Sequence, residues 1–279
     1  MAIGLLVIDL MFERKKISTS LIISTYNWPK ALDLCLLSVL NQQVLPDEVI
    51  IADDGSGDET KALIEKHKKN FPVPLIHVWQ PDEGFQLAKI RNKAIAASTK
   101  DYIIQIDGDL ILHSKFISDH LSFANPGYFV TGSRVMIDKE LSGKLLQECS
   151  IKLNIFTKGL FNISNGFRIS IVRNYLAERY RINDIYFMRG CNMAFWRKDL
   201  IKVNGYNEEF AGWGREDNEV AARLINAGIK KRVLKFGGVV FHIFHVVNER
   251  MILEKNNILL LKAIKEKKVE CLQGLKQYL

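Results

Sequence analysis

An α/β fold, with a mostly parallel sheet flanked by helices, is what this sequence predicts, and three observations carry the prediction. Between Leu21 and Asp109, short β-rich runs alternate with helical patterns, the layout of right-handed βαβ units. Apolar residues make up 48% of the 279 positions and charged residues 25%. That balance suits one large unit or two closely fused lobes and excludes a disordered or fibrous chain. Polar clusters follow three of the β-rich runs, at the strand ends where open α/β sheets collect ligand-binding groups.

Residues 1–16 contain a short apolar run, Ile3–Phe12, broken by Asp9 and followed by Glu13-Arg14-Lys15-Lys16. A signal peptide carries its positive charge ahead of a longer apolar run, so this stretch reads as a loose leader, with Met11 a candidate start. No segment approaches the ~20 apolar residues that span a bilayer.

Leu21–Ser24 is the first expected strand. A helix follows over about Pro29–Leu40, with Asn27 placed to cap it, Pro29 in its first turn, and Leu32, Leu36, Val39 and Leu40 on one face. Glu48–Ala52 is the second strand; the turn Asp53-Asp54-Gly55-Ser56-Gly57 leads to a helix over Glu59–Lys69. Leu75–Trp79 forms the third strand, Phe85–Ala97 the next helix, and Tyr102–Ile106 the fourth strand, which runs into Asp107-Gly108-Asp109.

From Leu141 to Tyr186 the pattern is helical but irregular and basic. Leu141–Gly190 holds eight Lys or Arg against three acids, much of the chain's net +8 (39 basic, 31 acidic). Gly190–Trp196 reads as a strand, and Gly212-Trp213-Gly214 opens a helix over Glu216–Ala227. Gly228 ends that helix, and Val220, Ala221, Leu224 and Ile225 form its apolar stripe. Val233–His245 contains further strand, and an amphipathic helix runs from Glu249 to the end, with Ile252, Leu253, Asn256, Leu260 and Ala263 along one side.

A basic chain suits phosphate-bearing ligands, an anionic membrane surface or nucleic acid. No arginine-rich arm, zinc-finger spacing or aromatic RNA-binding signature supports nucleic acid. Cys35, Cys149, Cys191 and Cys271 lie far apart with no CxxC pair, the pattern of free thiols in a reducing compartment. A cytoplasmic location, at the inner face of the membrane if anywhere near one, is expected.

Asp107-Gly108-Asp109 is the sharpest local signal. Two carboxylates around one small residue at a strand tip can hold Mg²⁺ or Mn²⁺ together with phosphate oxygens; the alternative is a turn that favours Asp and Gly. Asp53-Asp54 is a second acidic strand end, able to accept from a nucleobase or ribose, or merely to cap the helix after it. Glu216 and Asp217 open a helix, where acids are favoured by the helix dipole in any case.

Taken together and in order, SLIISTYNWPKAL, EVIIADDGSGDET, EGFQLAKIRNKAIAAS and DYIIQIDGDL resemble the nucleotide-sugar domain of family 2 glycosyltransferases of the GT-A type, a Rossmann-like architecture. The segment RGCNMAFWRKDLIKVNGYNEEFAGWGREDNEVAARLINAG resembles the C-terminal galactosyltransferase-like module of bacterial polysaccharide and chondroitin-type polymerising enzymes. A related Trp-Gly-x-Glu-Asp element occurs in animal β-1,4-galactosyltransferases, where glycine is frequent at the position held here by Arg215. The resemblance covers residues 18–132 and 186–247. It implies a nucleotide-sugar-binding half at 17–132, an acceptor-binding and catalytic-base half at 133–248, fused to it as an acceptor-side lobe, and the amphipathic helix at 249–279.

Residue by residue, the resemblance implies that Thr25 and Asp53 or Asp54 hold the nucleoside, with Arg91 near the nucleotide. Asp107 meets ribose or metal, and Asp109 ligates the metal. His242 and His245 in FHIFH fit the place of a metal-ligating histidine. On one strand residues three apart face opposite ways, so one of the two is expected to ligate, His242 by preference, and an imidazole among carboxylates favours Mn²⁺ over Mg²⁺. In the pattern it resembles, the second acid of Glu216-Asp217 is the general base; Trp213 can stack on a sugar face or lie buried in the core, Asn192 can bond a sugar hydroxyl, and Asp82 can add to the donor site. The expected activity is inverting, metal-dependent transfer from a UDP-sugar (or GDP- or dTDP-sugar) to a hydroxyl of a glycan or lipid-linked glycan in bacterial surface polysaccharide synthesis. A catalytically silent nucleotide-sugar or glycan-binding module is the competing class. A nucleotidyltransferase would want a glycine-rich phosphate loop near the N-terminus, and SLIISTYNWPKAL offers none.

Overall fold

The computed structural model describes residues 17–246 and 253–279. The leader expected at 1–16 and residues 249–252 of the expected C-terminal helix lie outside the described residues.

The first half alternates as expected: β1 (Thr19–Thr25), α1 (Pro29–Leu40), β2 (Glu48–Asp53), α2 (Asp58–Lys68), β3 (Leu75–Trp79), α3 (Leu87–Ala97) and β4 (Tyr102–Asp107). Next come β5 (Leu110–Leu112), α4 (Phe116–Phe123), β6 (Tyr128–Thr131), β7 (Val135–Ile137), α5 (Lys139–Glu148), β8 (Leu160–Phe161) and α6 (Ser170–Leu176). The chain closes with β9 (Asn192–Trp196), α7 (Arg197–Lys202), α8 (Glu216–Asn226), β10 (Lys230–Val233), β11 (Val240–His242) and α9 (Leu253–Lys265).

Seven strands form the main sheet in the order β10-β6-β9-β4-β1-β2-β3. Only β9 runs against its neighbours β4 and β6; the other pairings are parallel. All seven residues of β1 are buried, as a central parallel strand covered on both faces requires. Alternation along the strands sorts the core into two layers. Leu21, Ile23, Val49, Ile51, Ile104 and Ile106 meet apolar residues of α1, α2 and α4 on one face. Ile22, Ile50 and Ile103 meet those of α3, α7 and α8 on the other. A smaller sheet, β5-β11-β7-β8, packs Ile111, Val135 and Phe241 with Ala31 and Leu34 of α1. The main sheet takes β9 and β10 from beyond residue 132, so the two halves are fused through continuous strand pairing. No helix among the described residues is long and apolar enough to cross a membrane.

The structure departs from expectation in three places. Asn27 does not cap α1. It has φ +44, and its side chain accepts from Gly57 N at 2.9 Å, which ties it to the turn after β2. The 141–186 stretch is helical only in α5 and α6, with β8 and a one-turn 3-10 helix between them. Val233–His245 contains further strand as expected, in β11, which Phe236 (φ +58) and Gly238 (φ +55) carry into the second sheet by turning the chain. The final helix stops at Lys265, and Leu275 returns to hydrogen-bond Asn204 O.

Candidate functional site

The C-terminal ends of β1 and β4, the end of β11 and the start of α8 meet around a cleft of about 650 Å³. A second cavity, of about 410 Å³, lies at the opposite end of the strands beside Ile17, Asp101 and Trp196 and holds none of the expected site residues.

One side of the cleft carries a compact ligand set. Gly108 N donates to Ser24 O at 2.7 Å, pinning the turn after β4 against the end of β1. Asp109, just past that turn, is bonded through its carbonyl by Ile243 N at 2.9 Å. Its Oδ2 lies 3.4 Å from His242 Nε2 and 3.2 Å from His245 Nε2. Available ligand atoms of the three residues fall within 4.8 Å of one another. Both histidines therefore reach the carboxylate, contrary to the expectation of one. Strand pairing ends at His242, so alternation does not govern His245, whose ring sits edge-on to Trp28 at 5.9 Å. Among the described residues, Asp109 Oδ1 and His242 Nδ1 are buried without a hydrogen-bond partner. Burial works against the charge on Asp109, but the hydrogen bond from His245 and the charge of His242 outweigh it and hold the carboxyl below its usual range. Burial keeps His242 below its ordinary value, in the neutral form that ligates metals, while the Asp109 bond raises His245. This donor set fits a divalent cation that accepts both oxygen and imidazole.

The other side is built around Arg91 of α3, which is 1% exposed. Its Nη2 donates to Asp107 at 3.1 Å and its Nη1 to Asp217 at 3.0 Å, with Glu216 3.6 Å away. The guanidinium lies 5.3 Å from the centre of the Tyr206 ring. Burial alone would discourage its charge; the Asp217, Asp107 and Glu216 carboxylates overcome that and raise its pKa. Arg91, expected beside the nucleotide, lines the cleft with Thr25 and Asp54 and there pairs with Asp107 and Asp217. Stripping a partner from such a buried cluster costs about 3–5 kcal/mol. Burial pushes Asp107 up to about 6, with Arg91 opposing the rise and Asp109 adding to it.

Asp217 is held on every side. Tyr206 Oη stands 3.3 Å from its Oδ1 and 2.9 Å from Gln105 Oε1, and Gln105 in turn donates to Gly190 O at 3.1 Å. A Cβ built on Gly190 would sit 1.8 Å from Asp217 Oδ2. Gly190→Ala should therefore push the carboxylate aside. Misplacement by about 1 Å costs on the order of 10²-fold in rate, so kcat should fall by that order with a smaller change in KM for the donor. Wild-type kcat in this variant would refute the positioning role.

Burial pushes Glu216 up from its ordinary 4.5 to about 8, with the Asp217 charge adding to the rise and Arg91 opposing it. Its Oε2 is buried without a partner. A carboxyl that holds its proton more tightly folded than unfolded disfavours folding increasingly as pH rises between those two values. The melting-temperature advantage of Glu216→Gln over the wild type should thus widen from pH 5 to pH 8 and level off above; a constant difference would contradict it.

α8 brings Glu216 and Asp217 to the cleft because of its approach and its anchor. Gly214 has φ +105 and Arg215 φ +79, so the chain enters the helix through the left-handed region. A side chain is strained there, which explains why glycine is frequent at the Arg215 position in the pattern this segment resembles. Arg215 is held by Asn257 Oδ1 at 2.7 Å and by the Tyr186 ring at 5.1 Å. Asn256 of α9 donates to Gly214 O at 2.8 Å, and the buried Glu219–Arg223 pair fixes the helix from behind.

The remaining expected residues divide. Thr25, Asp54 and Trp213 line the cleft, Trp213 being 39% exposed. Both Asp54 oxygens accept bonds, from Gln80 Nε2 at 2.6 Å and Gln86 N at 2.8 Å, and burial raises its pKa. Asp53 does not face the cleft; fully buried, it accepts from Ser56 N at 2.8 Å and meets His77 Nε2 at 2.9 Å, so it shapes the turn. Asn192 is likewise no sugar contact. It is fully buried at the start of β9, donating to Ser133 O and Gly238 O and meeting His120 Nε2, which staples the two sheets. Asp82 stands outside the cleft lining, where Tyr26 Oη donates to it at 2.8 Å. Sequence reasoning missed Tyr206, Gln105, Gly190 and the cleft cations Arg134 and Arg189. Tyr206 and Gly190 lie in the quoted segments, but nothing in their spacing signals a carboxylate between them.

Comparison with known proteins agrees with this fold. The model of "Glycosyl transferase family 2" matches residues 20–203, and that of the "N-terminal domain of galactosyltransferase" matches residues 168–246. Chondroitin synthase of Pasteurella multocida is 29% identical over 247 residues, covering 82% of this chain and 25% of the relative. The chain thus spans about a quarter of that protein's length. Among solved structures, the mannosyltransferase PcManGT of Pyrobaculum calidifontis, in complex with GDP-Man and Mn²⁺, aligns with TM-score 0.59 at 16% identity, covering 91% of this chain and 64% of that one. Residues 1–349 of S. aureus TarS, in complex with UDP, align with TM-score 0.61 at 15% identity, covering 94% and 68%. At these identities the structural likeness speaks for the GT-A fold alone.

Proposed function

The chain belongs to glycosyl transferase family 2, and we propose that it transfers a sugar from a nucleotide-diphosphate donor, a UDP-sugar first among candidates, to a hydroxyl of a glycan or lipid-linked glycan with inversion. The observation that carries this reading is the shared cleft. A cation-type donor set, Asp109 with His242 and His245, and a first-turn carboxylate, Asp217, line the same cleft, with Arg91 bonded to both Asp217 and Asp107 between them in the same lining.

In this reading Thr25 and Asp54 receive the nucleoside, and Arg134 and Arg189 lie along the path of the diphosphate. Asp109, His242 and His245 would hold Mn²⁺ or Mg²⁺, which when bound supplies positive charge to the departing diphosphate. Asp217 takes the proton of the acceptor hydroxyl as its oxygen attacks the anomeric carbon from the side opposite the diphosphate. Glu216, holding its proton near neutrality, is not assigned the role of base. Trp213, partly exposed at the cleft, offers a flat apolar surface to a sugar ring. The chondroitin synthase relative supports a polysaccharide product.

The test is a nucleotide-sugar panel with Mn²⁺, read by release of nucleoside diphosphate. Turnover of one donor, abolished by EDTA, is the expected result. Donor binding without release, with every acceptor offered, would make the chain a binding module instead.

A further inference from the structure

One surface is unexplained by packing or by the cleft. Along residues 156–171 six large apolar side chains face solvent: Phe156 (89% exposed), Phe161, Ile163, Phe167, Ile169 and Ile171 (85%). Exposed apolar groups in such density mark a contact surface. They are interspersed with charge of one sign: residues 150–182 contain six Lys or Arg and one acid, Glu178. Arg168 and Arg173 are spent on Asp119, but Lys152 and Lys158 are exposed and carry no ion pair among the described residues. The surface adjoins the cleft. Phe161 of β8 is the register partner of Met136 on β7, and Met136 lines the cleft wall.

We propose that this face docks on an anionic lipid bilayer. Exposed aromatic and aliphatic side chains flanked by the exposed lysines Lys152 and Lys158 suit the boundary between headgroups and acyl chains, where apolar groups insert and cations find lipid phosphates. A protein partner would instead call for a continuous apolar core with few charges inside it. Docking stands apart from the transfer reaction. Only its purpose, presenting the cleft to a lipid-linked acceptor, rests on the proposed function.

The experiment is co-sedimentation of the full chain with phosphatidylcholine vesicles, with and without phosphatidylglycerol. The protein should pellet with the phosphatidylglycerol-containing vesicles, stay soluble with phosphatidylcholine alone, and be released by high salt. Each cation near an anionic surface adds about fivefold to binding, so Lys152→Glu with Lys158→Glu should weaken it by about tenfold or more. Phe156→Ser with Ile171→Ser, at two of the most exposed positions, should do likewise without disturbing the fold. Donor hydrolysis in solution should be unchanged in both variants, which separates loss of docking from loss of catalysis. Failure of the wild-type chain to pellet with anionic vesicles, or undiminished pelleting of both variants, would overturn the proposal. So would lipid-free self-association that Phe156→Ser with Ile171→Ser abolishes, because the face would then belong to a second copy of the chain.

Discussion

Asp217→Asn should lower kcat for transfer by about 10²–10⁴-fold, the usual contribution of a general base, and leave KM for the donor little changed. Asparagine keeps the size of the side chain and an oxygen for Arg91 and Tyr206, so the clamp around it persists. What disappears is the capacity to take a proton. A loss confined to kcat is the mark of a group that acts in the transition state. Arg91 stays bound to Asp107 at 3.1 Å, which keeps the donor side in place. Loss of donor binding on titration calorimetry, or full retention of transfer, would remove Asp217 from the role assigned to it.

Asp109→Ala should abolish the cation dependence of donor binding. Both histidines approach Asp109, and among the described residues its Oδ1 is buried without a hydrogen-bond partner. A bound cation is worth several kcal/mol of charge stabilisation at a phosphate, and each 1.4 kcal/mol is a factor of ten. Donor affinity in Mn²⁺ should then fall on the order of 10²-fold, to the level of the wild type in EDTA. Equal affinities for the wild type with and without EDTA would contradict the metal assignment.

How much of this was legible in the sequence varies with the range of the interaction. β3 occupies Leu75–Trp79 as read, and β2 and β4 differ from expectation by one residue, because buried parallel strands announce themselves as apolar runs bounded by polar turns. The gathering of Thr25, Asp54, Asp107 and Asp217 at one sheet edge also followed from alternation and resemblance. Side-chain partners were another matter. Asn27, Asp53 and Asn192 look alike in sequence to ligand-binding polar residues, yet each is consumed by groups dozens of positions away or by its own turn. Arg91 is placed near the nucleotide by resemblance, but nothing local reveals that α3 carries it between Asp107 and Asp217. His245 was misjudged because strand alternation was extended past the point where pairing ends. The positive φ of Arg215 is hidden behind a residue type that rarely adopts it.

The account turns on a cation and a base sharing one substrate. Its most direct measurement is the structure of the protein with Mn²⁺ and a nucleoside diphosphate, the metal located by its anomalous scattering. The peak should fall on Asp109 between His242 and His245, with the diphosphate reaching toward Asp217 inside the same cleft. A metal bound elsewhere, or a diphosphate lying outside the space between Asp109 and Asp217, would contradict it.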